Sequence, residues 1–294
     1  MKQIYQILLF LFVLYIFCNL MNRINIPVIK DINNFNPLKS YNVYTYIESP
    51  SNFNNEKKIQ LLSKNSDIPV FLKVCIELMK KKINGLHRKL IVLTPLNYHN
   101  YVDDFPIKMS PTSDYSLKNR VDLLSAYVLE KNGGLFISPG TIVYKLNDIL
   151  SKVNSFDFVT FGGSKFNPNS YMLGSKHNGE FIKKYKQNLI NRFPVSSDNI
   201  LQKTLSENNF KEGYHYSGEY DGSVSKSNSK IFITDYLGKT NIRYKDIEKL
   251  SLISVPYEQL LRNSEYYWFN NLSREQFYDS DLFVSRLLKK LLKI

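Results

Sequence analysis

The chain has 294 residues, 43 % of them hydrophobic, with 21 Tyr and 19 Phe. That supplies a sizeable core and excludes a disordered or disulfide-built protein, and the length fits one large domain or two small ones. The net charge is +13, spread along the chain with small clusters at Lys80, Lys81 and Lys82 and near the C-terminus; it follows from a Lys- and Asn-rich composition and comes with no recognised nucleic-acid module.

Two cysteines, Cys18 and Cys75, permit neither a disulfide framework nor a Cys-based zinc site. Ile4 to Leu20 is almost wholly apolar, interrupted by Gln6 and Asn19. It meets the lower length for a spanning helix, and bulky residues at Phe17 to Met21 leave no cleavage site. The expectation is an uncleaved signal anchor over residues 1–21 and a single-pass membrane location. Lys2 before the span and Arg23 and Lys30 after it do not decide its orientation. Asn271-Leu272-Ser273 is a glycosylation sequon usable on the lumenal side. Residues 22–40 are polar, carry Pro27 and Pro37, and read as a stem; residues 41–294 form the body.

In the body, Val43 to Ile47 reads as a strand. Ser49 to Ser66 reads as a loop with a short helix near Lys57 to Leu62. Asp67 caps an expected helix in which Phe71, Cys75, Leu78 and Lys82 share a face. Leu90 to Thr94 is a continuous apolar run suited to a strand buried on both faces. A helix follows in which Leu117, Val121, Leu124 and Val128 make one stripe, with Lys118, Asp122 and Ser125 on another face. Gly133 is expected to supply a left-handed C-cap. Leu135 to Ile137 is a strand, Ser138-Pro139-Gly140 a turn, and Phe156 to Phe161 a further strand. Helices are expected from Gly179 to about Asn191 and over Ser196 to Ser206, with strands at Ile231 to Thr234 and Leu250 to Val255 and a loop over Glu212 to Lys230. The rhythm predicts an α/β domain with a mainly parallel sheet flanked by helices. Val284, Leu287, Leu288, Leu291 and Leu292 form the apolar stripe of a basic C-terminal helix, read as packed on the body.

Most chemistries find no footing. His87, His99, His177 and His215 are scattered, and there is no phosphate-binding P-loop, dinucleotide fingerprint or Gly-x-Ser-x-Gly elbow. Attention falls on Arg120 to Val143, RVDLLSAYVLEKNGGLFISPGTIV.

With the Val43 strand, IPVFLKVCIELMKK, LIVLT and Tyr101-Val102 before it, this segment resembles the capsular polysaccharide synthesis proteins and related DXD-containing sugar transferases. The resemblance runs over about Val43 to Leu173 and implies a GT-A-like fold behind an N-terminal transmembrane helix. It implies a nucleotide-sugar donor, a glycan acceptor, and magnesium or manganese held by an Asp-x-Asp. By resemblance, Asp122 matches the Asp that contacts the nucleotide. Ser125 stands where that family has Arg, and Ser138 and Gly140 stand where it has the metal-binding pair, so nucleotide-sugar binding falls on Asp122, Ser125, Ser138 and Gly140 and no metal ligand is assigned. Arg120 lies five residues before Ser125 and faces another side of the helix. Lys118 or Lys165 could offset leaving-group charge without metal. Asp103, Asp104, Asp148 and Asp157 are candidate replacement ligands, each read first as a surface, cap or loop carboxylate.

The expectation is therefore a membrane-anchored glycosyltransferase, with the lipid bilayer as a partner through the N-terminal helix. The alternative is a catalytically inactive glycosyltransferase-fold protein acting in binding or assembly at a membrane. A basic nucleic-acid binder ranks last.

Overall fold

The computed structural model describes residues 41–48, 68–83, 88–110, 113, 115–164, 167–192, 200–207, 213–216, 220–244 and 250–294. The expected anchor and stem, Asp67, His87, Lys165 and the loop over Ser49 to Ser66 lie outside these residues. No helix among the described residues is long and apolar enough to cross a membrane.

β-branched and aromatic residues open the body as strand β1 (Tyr41–Tyr46), which pairs in parallel with β2 (Arg88–Leu93). Between them runs helix α1 (Val70–Ile83). Helix α2 (Leu117–Asn132) follows, capped by Ser116, whose side chain accepts from the Asn119 amide. It leads into β3 (Gly134–Ile137) and β4 (Thr141–Val143). Then come α3 (Asn147–Ser155), β5 (Phe158–Ser164), β6 (Asn167–Ser175), α4 (Glu180–Arg192), α5 (Ile200–Glu207) and β7 (Gly213–Tyr216).

Six strands form one sheet in the order β2-β1-β3-β6-β5-β7. β6 runs antiparallel to both neighbours, and every other pairing is parallel. The mixed α/β layout with a mainly parallel sheet is the class expected from the element rhythm. The strands are buried: Val43, Leu135, Ile137, Val159, Phe161 and Met172 are fully shielded from solvent. α2 packs on β3 and β6 and also on α4, so it has no solvent face along most of its length. Asn119, Arg120, Asp122 and Ser125 are buried in addition to Leu117, Leu124 and Val128 of the apolar stripe, whereas periodicity placed Asp122 and Ser125 merely on a second face.

The C-terminal part adds a short helix α6 (Ile233–Tyr236), strand β8 (Leu252–Ser254) and helices α7 (Tyr257–Arg262), α8 (Tyr267–Asn270), α9 (Arg274–Asp279) and α10 (Phe283–Leu292). β8 pairs antiparallel with β4 in a separate two-stranded sheet. α10 packs on α1 and α9, with Lys81 Nζ donating to the Leu292 carbonyl at 2.9 Å, so its apolar side meets the body.

Three local expectations need correction. Ile231 to Thr234 is not a strand: the Phe232 amide donates to Asp235 Oδ2 at 2.7 Å, and this local bond starts α6. Gly213 to Tyr216, read as loop, is β7, because β5 offers it a parallel edge over four residue pairs. Gly133 has positive φ but ψ of −173°, so the chain extends directly into β3 without a left-handed cap.

Gly134 follows at φ +104°, and a Cβ there would lie 2.3 Å from the Asn42 carbonyl oxygen of β1. The glycine lets two parallel strands close up at the start of β3. Gly134→Ala is expected to lower stability by about 2 kcal/mol or more, read from equilibrium urea unfolding. Unchanged stability would show that β1 and β3 tolerate separation there.

Candidate functional site

Ligands in α/β sheets gather where parallel strands end at their carboxyl edge. In this chain β1 ends beside Glu48 and β3 ends at Ser138. The turn Ser138-Pro139-Gly140 is buried throughout. Ser138 Oγ accepts from the Gly140 amide at 3.3 Å, and its carbonyl accepts from the Thr141 amide at 3.1 Å. A Cβ at Gly140 would lie 2.7 Å from the Val255 carbonyl oxygen and 3.0 Å from Tyr257 Cβ. The segment after β8 therefore lies directly against the turn, and no side chain larger than hydrogen fits there without moving backbone.

On α2, Asp122 is 2 % exposed and pairs with Lys118 at 2.8 Å, four residues back. It lies close enough to Tyr185 of α4 to help raise that phenol's pKa, whose main cause is burial. The Ser125 hydroxyl donates to the Asp122 carbonyl at 2.8 Å. In place of a reaching cation, position 125 has a short side chain turned back onto its own helix. Lys118 is thus committed to Asp122.

A buried cation at the carboxyl edge is Arg120. It is 1 % exposed, and its Nη2 donates to both oxygens of Glu48, at 3.3 and 3.2 Å. Glu48 Oε2 also accepts from the Tyr46 hydroxyl at 2.9 Å. Burial, then the adjacent Glu48 carboxylate, pushes the Tyr46 phenol far above its ordinary range, so it stays protonated and donates. Arg120 Nε and Nη1 are buried with no hydrogen-bond partner among the described residues. Two residues rotate a helix by about 200°, so Arg120 turns to the sheet edge while Asp122 turns toward α4. Sequence spacing correctly separated Arg120 from Ser125. It did not reveal that a buried Glu after β1 would hold Arg120, because a partner 72 residues away leaves no local pattern.

The metal implied by the resemblance does not fit these residues. The turn offers one hydroxyl oxygen and no carboxylate, and packing fills the space beside Gly140. Among the described residues no group of three or more His, Cys, Asp or Glu is placed to hold an ion. The four aspartates considered as replacement ligands lie elsewhere. Asp103 pairs with Lys131, Asp148 accepts from Tyr216, Asp157 caps α4 through the Glu180 and Phe181 amides, and Asp104 occupies a turn at φ 47°. His215 bonds Thr160, His177 bonds the Lys131 carbonyl, and His99 lies in a short helical turn.

A second buried polar centre escaped the sequence. Asp221 is fully buried and accepts from the Ser223 amide at 2.9 Å. Its Oδ2, Ser223 Oγ and the Tyr244 hydroxyl have no hydrogen-bond partner among the described residues. Burial pushes the Asp221 carboxyl up to about 6, with the adjacent Ser223 opposing. The Asp221 carbonyl accepts from Ser254 of β8, whose partner in β4 is Thr141, so this centre adjoins the strand leaving the turn.

No family model matches the chain, and no curated protein matches it. Among solved structures, it overlaps a nucleotide-diphospho-sugar transferase from Desulfovibrio desulfuricans G20 at 9 % identity, covering 61 % of this chain and 80 % of that one, with a TM-score of 0.37. Apo glycosyltransferase GlyE of Streptococcus pneumoniae TIGR4 gives 13 % identity, 87 % and 63 % coverage and a TM-score of 0.40. The galactosyltransferase LgtC, in complex with donor and acceptor sugar analogs, gives 8 % identity, 86 % and 95 % coverage and 0.36. By name, one of these neighbours is a nucleotide-diphospho-sugar transferase and two are glycosyltransferases. Overlaps this loose leave the function to be argued from the chain's own residues.

Two outcomes follow. Ser138→Asp combined with Gly140→Asp is expected to create no manganese site and to lower stability by about 1–3 kcal/mol, because the new carboxylate meets Val255 and Tyr257. Manganese titration of the variant, followed by calorimetry, checks this, and micromolar binding would refute it. Asp221 binds its proton more tightly folded than unfolded, so its contribution to stability is present below pH about 4 and is lost as pH rises through about 6. Relative to Asp221→Asn, the wild-type chain should lose about 3 kcal/mol between those limits; parallel curves for the two proteins would contradict it.

Proposed function

We propose that the body over residues 41–294 is a nucleotide-sugar-dependent glycosyltransferase domain of GT-A type. In this reading the donor's diphosphate is met by protein cations instead of a metal bound at residues 138–140. The observation that carries it is Arg120, a buried guanidinium at the sheet's carboxyl edge with Nε and Nη1 unused among the described residues. In transfer, the acceptor hydroxyl oxygen bonds to the sugar's anomeric carbon, the bond from that carbon to the phosphate oxygen breaks, and the acceptor proton leaves to a base. Negative charge then grows on the departing diphosphate. Fixed N–H donors in a site shielded from water offset that charge, and a planar guanidinium suits two phosphate oxygens. The resemblance assigns Asp122, Ser125, Ser138 and Gly140 to the donor site; in this reading they stay behind Arg120, since Asp122 and Ser125 turn toward α4 and their own helix and Gly140 is covered by the segment after β8. An apolar anchor over residues 1–21 would tether the domain to one membrane, where a glycan is the acceptor.

The burial of Ser138 to Gly140 favours a second reading, a domain that binds a nucleotide sugar without transferring it. The experiment separates the two. The full-length chain is offered a panel of nucleotide sugars in EDTA and in manganese, with binding followed by thermal shift and transfer or hydrolysis followed by nucleotide release. The account expects binding and release with at least one donor in EDTA. Arg120→Lys, which keeps a cation beside Glu48, should weaken donor binding about tenfold while retaining the fold. Binding without release would select the second reading, and no binding by any donor would remove both.

A further inference from the structure

We propose that the groove between residues 225–232 and 238–243 binds an anionic oligosaccharide; its assignment as an acceptor site rests on the glycosyltransferase reading above. The groove encloses about 840 Å³. One wall is a hairpin closed by the Val224–Lys230 bridge, and the Ser225–Tyr244 bridge joins it to the other wall. The Lys226 amide donates to the Arg243 carbonyl at 2.7 Å, which fixes their spacing. The far wall is held from behind by α10: Arg286 Nη2 donates to the Lys239 carbonyl at 2.6 Å and to Asn241 Oδ1 at 2.9 Å. The groove is therefore built before a ligand arrives, which reduces the ordering cost of binding.

Its lining selects the ligand. Among the described residues the lining holds three cations, Lys226, Lys230 and Arg243, and one carboxylate, Asp235, which accepts from the Phe232 amide at 2.7 Å. None of the three cations has an ion-pair partner among the described residues. Phe232 is 59 % exposed, with Lys230 Nζ 5.8 Å from its ring centre. An exposed aromatic face beside these cations offers a platform for the C–H face of a sugar ring and points of contact for its anionic groups. Ser225, Ser227 and Ser229 form a chain of hydroxyls at 2.9 and 3.1 Å, groups that both donate to and accept from sugar hydroxyls. A nucleic-acid strand would instead need several aromatic faces for successive bases, and this groove presents one exposed ring. The shared chemistry is a carboxylate-, sulfate- or phosphate-bearing glycan.

The test uses the full-length chain and fluorescently labelled oligosaccharides of equal length: a polyuronate, a sulfated chain and a neutral glucan. Single-stranded DNA and inorganic phosphate serve as competitors. At least one anionic chain should bind and the neutral chain should not. Lys226→Gln, Lys230→Gln and Arg243→Gln combined should weaken binding about tenfold or more, and Phe232→Ala about threefold or more. The relative affinities of polyuronate and sulfated chain identify the anionic group. A charge-matched control, Lys80→Gln with Lys183→Gln and Lys184→Gln, should keep wild-type affinity, and circular dichroism verifies folding of every variant. Equal loss in the control, equal binding of the neutral chain, or tighter binding of DNA would overturn the proposal. Donor binding is measured on the same samples. Groove variants that keep donor binding and lose the glycan support the site, glycan binding without any donor binding supports the site while removing the transferase reading, and donor binding without glycan binding overturns the site alone.

Discussion

Everything distinctive about this chain depends on the close packing of Gly140 against Val255 and Tyr257. A turn at the end of a central strand usually faces a ligand cleft, and its side chains are free to evolve. Here it is covered, and the nearest cover is the Val255 backbone carbonyl, which yields less readily than a flexible side chain. The turn therefore differs from an Asp-x-Asp site in packing as well as in residue type. The space such carboxylates would occupy is filled, so charge compensation by a metal at this turn is closed to the protein.

In the proposed reading, that closure shifts the electrostatic work to α2. A helix buried against the sheet and α4 carries Arg120 and Asp122, two charged residues whose burial is tolerated only because each has a partner. The Lys118–Asp122 pair sits along one helix face, where four-residue spacing brings side chains together. The Arg120–Glu48 pair joins α2 to the end of β1 and is nearly dry. A buried pair of this kind adds little net stability over apolar residues but is costly to break on one side. Its cost makes sense if the guanidinium serves a ligand with the donors that Glu48 leaves unused.

The α/β frame was legible in the sequence because it depends on local signals. The apolar run at Leu90, the Gly133-Gly134 stop and the short Leu135 to Ile137 strand all fall where expected, and so does the packed C-terminal helix. β7 and α6 were misread because one forms only against the edge of β5 and the other hangs on a single Asp235 cap. In the site, the frame around Asp122 and Ser138 could be read from spacing. The Glu48 partner of Arg120 and the Asp221 centre could not, since both are assembled from segments distant in sequence. A lone Glu after a strand carries no signal until the fold brings a cation to it.

A structure of the full-length chain with a nucleoside diphosphate and manganese both present tests the central claim most directly. The account predicts diphosphate oxygens within hydrogen-bond distance of Arg120 and no metal at Ser138 to Gly140. Manganese bound between the diphosphate and that turn, with Arg120 still engaged only by Glu48, would contradict it.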